Sequence, residues 1–409
     1  MAQKKFSIIC FAWDQWGPMW KNTQQLMWYL SKKEEIHKIL YINKDLDVAR
    51  FIESFNKNFT LSDLKNTYLK SIFGKLDTYN NKIMVLTPFH YMPFYHRFPN
   101  IRNLNNKIFK YKINRILKKY KFKNIILFIN RDISRAILDL FPDNLISCFY
   151  WSDNWSSFPD SAQEVNELDL KKMEKIDQVI EAILRRSDIV FCVSEYLTDR
   201  AKKIVPNSYW MPNGTDYENF SKVSLHETPI ADEVRSIPHP IIGFMGFISG
   251  TIDYELLEFA IRSRPDWSFV FIGPKLPAAS WGNDVFKFSN VFYLGPKPFF
   301  DLPKYMKAFD VCIIPYINHP RLQFADSNKV YDYLATGKPV VASTKTAGLG
   351  KHENIIRISG NKEKFVIDIE AALNEKDNRL VLERKETAKK NSWEKRADFM
   401  WENINQLLK

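Results

Sequence analysis

No apolar run in the 409 residues approaches the ~20 that cross a bilayer as a helix, so no membrane span is expected. Glycine is sparse, at 13 residues, and no Gly-x-Gly-x-x-Gly occurs. Gly17 stands alone in the first strand-to-helix loop, which disfavours a tight dinucleotide site there. Cysteine is sparser still. Cys10, Cys148, Cys192 and Cys312 each lie inside an apolar strand-like run, with no Cys-x-x-Cys and no histidine cluster beside them. That pattern argues for four buried, reduced thiols in a cytoplasmic protein, and against a disulfide framework or a structural zinc. Lys4-Lys5 before Phe6–Ala12 has the look of a secretory leader, but Trp13-Asp14 interrupts it and no small-residue cleavage site follows. A first buried strand is the better reading.

What is present is a 45% hydrophobic, 15% aromatic chain, long enough for two domains with full cores. Its formal net charge of +12 points to a polyanionic neighbour: nucleic acid, an anionic membrane or a phosphorylated substrate. The alternation of strands and helices predicts two doubly wound α/β domains.

The most informative stretch runs from Asp326 to Ser343. Ser327 or Asp326 is placed to cap a helix, on which Val330, Tyr333 and Leu334 share one face. Gly337 and Pro339 end it, and Val340-Val341-Ala342 suits a strand buried on both faces. Asp326, Ser327, Asn328, Lys329 and Asp332 gather at the helix start. A helix N-terminus favours anions such as a diphosphate, Lys329 adds a point charge, and Asp332 is an acceptor pair suited to a ribose diol. On spacing alone, a capped amphipathic helix with a solvated polar edge fits equally.

Lys329-Val-Tyr-Asp-Tyr-Leu-Ala-Thr-Gly-Lys-Pro-Val-Val-Ala342 resembles the donor-binding signature of GT-B glycosyltransferases of the family 4-like kind (glycosyl transferases group 1). The resemblance implies that Asp332 holds the donor ribose, at a position where the family usually has Glu. The family's first Glu falls on Phe324 here, with Asp326 as a nearby replacement. Pro240-Ile-Ile-Gly-Phe-Met-Gly246, followed by a loop without a base, is similar to the teichuronic-acid and polysaccharide-biosynthesis subgroup. So is the aromatic loop Trp13–Trp20 before Gln24-Gln25-Leu26. Tyr209–Asp216 resembles the segment that ends the family's first domain, and Ser392-Trp393 the start of its last helix. The implied fold is GT-B: two Rossmann-like domains facing across a cleft, with a C-terminal helix crossing back to the first domain. The expected division is residues 1–216, a linker at 217–238, a nucleotide-sugar domain at 239–390 and the returning helix at 391–409.

The remaining candidates lie where strands end. Gly246 and Gly273 follow strands of the second domain and let backbone approach a phosphate, and Lys275 follows Gly273. In the first domain, Arg131 follows strand Asn124–Ile129, and Asp153 and Trp155 follow strand Leu145–Trp151. Asp153 reads equally as a turn or N-cap residue. Trp13, Trp16 and Trp20 read as core packing or as sugar platforms, with Trp16 and Trp155 the acceptor-binding candidates. Residues 43–81 read as an irregular helical insertion. Arg102–Lys123 carries nine basic residues interleaved with apolar ones, which suits a solvated helix face or one lying on anionic lipid. The single Asp-x-Asp, Asp45-Leu-Asp47, comes too early for a metal site of the GT-A kind and reads as chance.

The expected function is transfer of a sugar from a nucleotide-diphosphate sugar to a polysaccharide or lipid-linked glycan acceptor. Retention of configuration, with no metal or other cofactor, is what the resemblance implies. Asp153, Lys329 and Arg131 are the catalytic candidates. Asp332, Asp326, Ser327, Asn328, Gly246, Gly273 and Lys275 are the donor-binding ones. The setting is the cytoplasm, peripherally at the membrane, and nucleic acid is not the expected partner. The rival readings are a sugar-nucleotide 2-epimerase, a DNA-modifying glucosyltransferase and a non-catalytic GT-B-like partner protein.

Overall fold

The structure, a computed structural model, describes residues 4–47, 69–92, 97–131, 141, 145–153, 167–276, 284–319, 322 and 326–409. It divides into two compact units. The first comprises Met1–Ser152, Lys175–Trp210 and Ala397–Lys409; the second comprises Asp153–Glu174 and Met211–Arg396.

The first unit is built on strands β1 (Phe6–Ala12), β2 (Ile36–Ile42), β4 (Asp77–Tyr79), β5 (Ile83–Leu86), β7 (Ile125–Asn130), β8 (Ile146–Trp151), β9 (Ile189–Cys192) and β10 (Ser208–Trp210). Their order is β10-β9-β8-β7-β1-β2-β5-β4. A two-stranded ladder joins β3 (Leu46–Asp47) to β6 (Phe89–His90). All pairs of the large sheet are parallel except β4 with β5. Every residue of β1 and β8 is buried, as parallel strands covered on both faces require. The chain leaves β1 toward β2 on one side and returns to β7 on the other, so the topological switch lies between β1 and β7.

The helices of this unit are α1 (Asn22–Ser31), α2 (Lys70–Phe73), α3 (Pro99–Lys119), most of α4 (Glu167–Leu184) and α5 (Glu195–Lys202). Ser194 caps α5, its hydroxyl accepting from the Leu197 amide at 3.3 Å. The expected helical insertion at 43–81 is, in its described parts, mixed: β3, α2 and β4, with residues 48–68 outside the described residues.

The second unit holds β11 (Ile241–Met245), β12 (Ser268–Ile272), β13 (Val291–Gly295), β14 (Val311–Ile314), β15 (Val340–Ala342) and β16 (Arg357–Ile358) in the order β13-β12-β11-β14-β15-β16, all parallel. Its switch point lies between β11 and β14. Its helices are α6 (Tyr217–Phe220), α7 (Asp232–Arg235), α8 (Tyr254–Ser263), α9 (Leu302–Met306), α10 (Asn328–Thr336), α11 (Ala347–Gly350), α12 (Lys362–Leu373), α13 (Asn378–Lys390) and the start of α14 (Trp393–Leu407). Residues 217–238, read from sequence as a linker, form short helical turns packed within this unit. The Phe220 ring meets Phe299 at 5.4 Å, and the Asn219 amide donates to the Phe299 carbonyl at 3.1 Å.

The end of α14 belongs to the first unit. Trp401 packs edge-on against Phe6 at 5.6 Å, Phe399 meets Phe191 and Tyr209, and Asp398 pairs with Lys33. The returning helix is therefore held by a hydrophobic face and one ion pair.

Candidate donor site at the strand ends of the second unit

The polar cluster at 326–332 forms as a helix start. α10 begins at Asn328 with Ser327 as its N-cap residue, and Gly337 ends it at φ 78°. Neither cap candidate caps through its side chain, and the Val330 amide donates to the Ser327 carbonyl at 3.3 Å. Asp326 turns instead to a different segment. Its carboxylate accepts from the Asn213 amide at 2.6 Å and from the Tyr331 hydroxyl at 3.1 Å. The Asn213 side chain donates to the Asp326 carbonyl at 2.6 Å. Burial pushes the Asp326 carboxyl up to about 6 despite these donors. This residue positions the start of α10 rather than offering itself to a ligand.

Lys329 lies along the end of β11. A Cβ built on Gly246 would sit 2.0 Å from its Cε, and one on Gly273 would sit 2.0 Å from the Gly246 carbonyl oxygen. Both glycines have positive φ, 145° and 135°, a region that side-chain-bearing residues rarely adopt. The two strand ends can therefore approach only because position 273 is glycine, and the lysine fills the space that a side chain at 246 would take. Its Nζ rests 5.4 Å from the Tyr316 ring centre and 5.7 Å from that of Phe244. Among the described residues no carboxylate forms an ion pair with it. Tyr333 fixes the same strand end, accepting from the Met245 amide at 2.8 Å.

Asp332 lies one turn into α10 and accepts from the Thr215 hydroxyl at 2.7 Å. Burial drives its carboxyl up to about 7, against the pull of Thr215 and Lys329, with Asp216 adding to the rise. Lys275, two residues past Gly273, sits 3.6 Å over Phe286 and 4.3 Å over Tyr293, and burial lowers its pKa. The Tyr293 hydroxyl donates to the Gly273 carbonyl at 3.0 Å. The structure thus brings Gly246, Gly273, Lys329 and Asp332 into one framework around β11 and α10, with Ser327 and Asn328 at the helix start. Together they offer a cation, a helix N-terminus and a carboxylate, which is the equipment for a nucleoside diphosphate.

The first-unit candidates fare differently. Arg131 is buried and committed, donating to Asp45 at 3.1 Å and to the Asn43 carbonyl at 3.2 Å. Asp45 also pairs with His90 at 3.0 Å. Burial would raise the Asp45 carboxyl, but Arg131 and His90 outweigh it and hold it below the usual range. Asp45 is therefore a working ion-pair partner and not a chance member of an Asp-x-Asp. Trp16 packs against Tyr41 at 5.0 Å and Tyr79 at 5.1 Å, and its amide donates to Asn43 at 2.8 Å. Trp13 is the more open indole, 42% exposed, with the Lys44 ammonium 4.4 Å over its ring. Asp153, which falls to the second unit, is exposed two residues past β8, and Trp155 lies outside the described residues.

Sequence reasoning missed Thr215, Asn213, Asp45 and His90 as partners. Thr215 and Asn213 lie in the noted Tyr209–Asp216 segment, which was a signal; nothing local marked His90. No group of three or more metal-ligating side chains occurs among the described residues.

Two doubly wound units, with a cation and glycine-lined strand ends in the second, define the GT-B class of fold. Residues 239–375 match the model of the family Glycosyl transferases group 1. The chain is 30% identical over 166 residues to the putative teichuronic acid biosynthesis glycosyltransferase TuaH of Bacillus subtilis (strain 168), a match covering 39% of this chain and 41% of that relative. That is less than half of the relative's length. The fold extends over nearly the whole chain. Sucrose-phosphate synthase from Thermosynechococcus elongatus superposes with a TM-score of 0.67 at 17% identity, covering 99% of both chains. HepE of Anabaena, in complex with UDP and glucose, superposes at 0.61 and 12% identity, covering 97% of this chain and 99% of that one.

Proposed function

We propose that the protein is a glycosyltransferase that moves a hexose from a nucleoside-diphosphate sugar to a polysaccharide or lipid-linked glycan acceptor in the cytoplasm. The observation that carries this reading is Lys329, a cation without a carboxylate partner among the described residues, laid against Gly246 at the switch point of the second sheet. The family of residues 239–375 and the UDP in HepE support it. Four buried free cysteines agree with a reducing setting.

In this reading Lys329 and the α10 amides hold the diphosphate and stabilise its charge as it leaves. Such preorganised donors act where charge develops in the transition state. Asp332 accepts from the ribose hydroxyls once ionised. Asp153 orients or deprotonates the acceptor hydroxyl, and the sugar is transferred with retention and without a metal. In the first unit the exposed Trp13 indole is the platform for an acceptor sugar. Arg131 acts by fixing Asp45 and His90.

The test is a thermal-shift screen against UDP, GDP, ADP, dTDP and CMP, with and without magnesium. A ligand at 100 times its Kd adds about 2.7 kcal/mol to stability, several degrees for a unit of this size. One nucleotide should stand out without magnesium, UDP being the first expectation. No shift with any nucleotide would overturn the donor assignment.

A further inference from the structure

The positive charge of this protein is not spread evenly. Between Asp77 and Asp132 there is no acidic residue, while 12 lysines and arginines fall there, equal to the whole formal net charge of +12. Most of them lie on or beside α3, a 21-residue helix of the first unit in which only Asn105 and Ile113 are buried. Successive side chains 104, 107, 111, 115 and 118 follow the helical repeat and fall on the face opposite those two. Leu104 is 44% exposed and Tyr111 63% exposed, with exposed Lys107, Lys110, Arg115 and Lys118 around them. Among the described residues none of these four cations pairs with a carboxylate.

Lys112 behaves otherwise, which sharpens the contrast. It points inward, donating to the Tyr91 hydroxyl and to the Ile72 carbonyl of α2, and so fixes α2 beside α3. Phe73, the last residue of α2, is itself 70% exposed.

We propose that this face of α3 docks the protein on an anionic lipid bilayer. Unpaired lysines and arginines match the charge of acidic headgroups. Exposed Leu104 and Tyr111 on the same face match the boundary between headgroups and acyl chains, where an amphipathic helix lies in the plane of the membrane. Long basic side chains cover such a surface while keeping their heads at the phosphates. A polyanion in solution would use the charge but leave the apolar residues with nothing to bury them.

The experiment is flotation of the full chain with phosphatidylcholine vesicles, plain or doped with phosphatidylglycerol. Two double variants, Lys107→Glu/Arg115→Glu and Leu104→Asp/Tyr111→Asp, are compared, and heparin serves as a lipid-free polyanion. The expected result is binding to the anionic vesicles alone, weakening with salt, and lowered at least about tenfold by either variant. Melting temperature should stay unchanged, because all four side chains are exposed. Equal binding to neutral vesicles, or none to anionic ones, overturns the proposal. So does vesicle binding that the Leu104→Asp/Tyr111→Asp change leaves intact. Heparin binding in the absence of vesicle binding would assign the face to a soluble polyanion and overturn it too.

Discussion

Each sheet presents a cation beside the C-terminal end of its first strand, and the two have opposite fates. Arg131, which follows β7 beside β1, is buried, with Asp45 and the Asn43 carbonyl holding its guanidinium and the Phe11 ring 5.5 Å away. Lys329, at the end of β11, rests on Gly246 and beside two aromatic rings. Both occupy the kind of place where α/β folds bind ligands. The difference lies in what neutralises them. A cation with its counter-charge built in stabilises the loop it sits under; one without keeps its field for an incoming anion.

The largest effect expected from breaking this contrast is at Arg131. Arg131→Ala takes the guanidinium from the half-buried Asp45, and removing one partner of a buried pair costs up to about 3–5 kcal/mol. The urea midpoint should fall accordingly, and Arg131→Met/Asp45→Leu should recover much of the loss. A stable but inactive Arg131→Ala protein would instead make the arginine a ligand-binding group. Lys329→Ala should do the reverse. Stability should change by no more than about 0.5 kcal/mol, while turnover falls about 10²–10³-fold, the usual consequence of losing one preorganised donor to a leaving charge. Nucleotide titration and steady-state kinetics on the same preparation would read both.

The smallest effect concerns Asp332, whose carboxyl burial raises to about 7. Because its folded value lies above its ordinary one, stability should decline as pH rises from the carboxyl range to about 7 and then level off. Nucleotide affinity should move the other way, rising up to about tenfold between roughly pH 6 and pH 8 as the ribose acceptor ionises. Asp332→Asn should flatten both profiles. A nucleotide affinity of Asp332→Asn equal to the parent at every pH would remove Asp332 from the ribose.

The second unit was more legible in the sequence than the first, for a physical reason. Lys329, Asp332, Gly337 and Pro339 lie within one helix and turn, so local rules of capping, periodicity and helix termination place them. The strand glycines Gly246 and Gly273 were legible likewise, because each directly follows an apolar run. What local rules could not see was competition from distant segments. Asp326 has the composition of a cap, yet Asn213, 113 positions away, claims it. Arg131 has the position of a ligand-binding cation, yet Asp45, 86 positions away, neutralises it. Trp16 was read as packing or platform; Tyr41 and Tyr79 supply the packing, and Trp13 is the one left open.

The returning helix imposes an order on the making of this protein. Phe6, Phe191 and Tyr209 get part of their cover from Trp401 and Phe399, side chains nearly four hundred residues downstream of the first of them. A ribosome adding about 5–20 residues per second needs tens of seconds between the two. Once β10 is made the first unit has all the strands of its sheet, but Phe6, Phe191 and Tyr209 still lack the rings that later chain lays over them. A unit made before the second is thus finished after it.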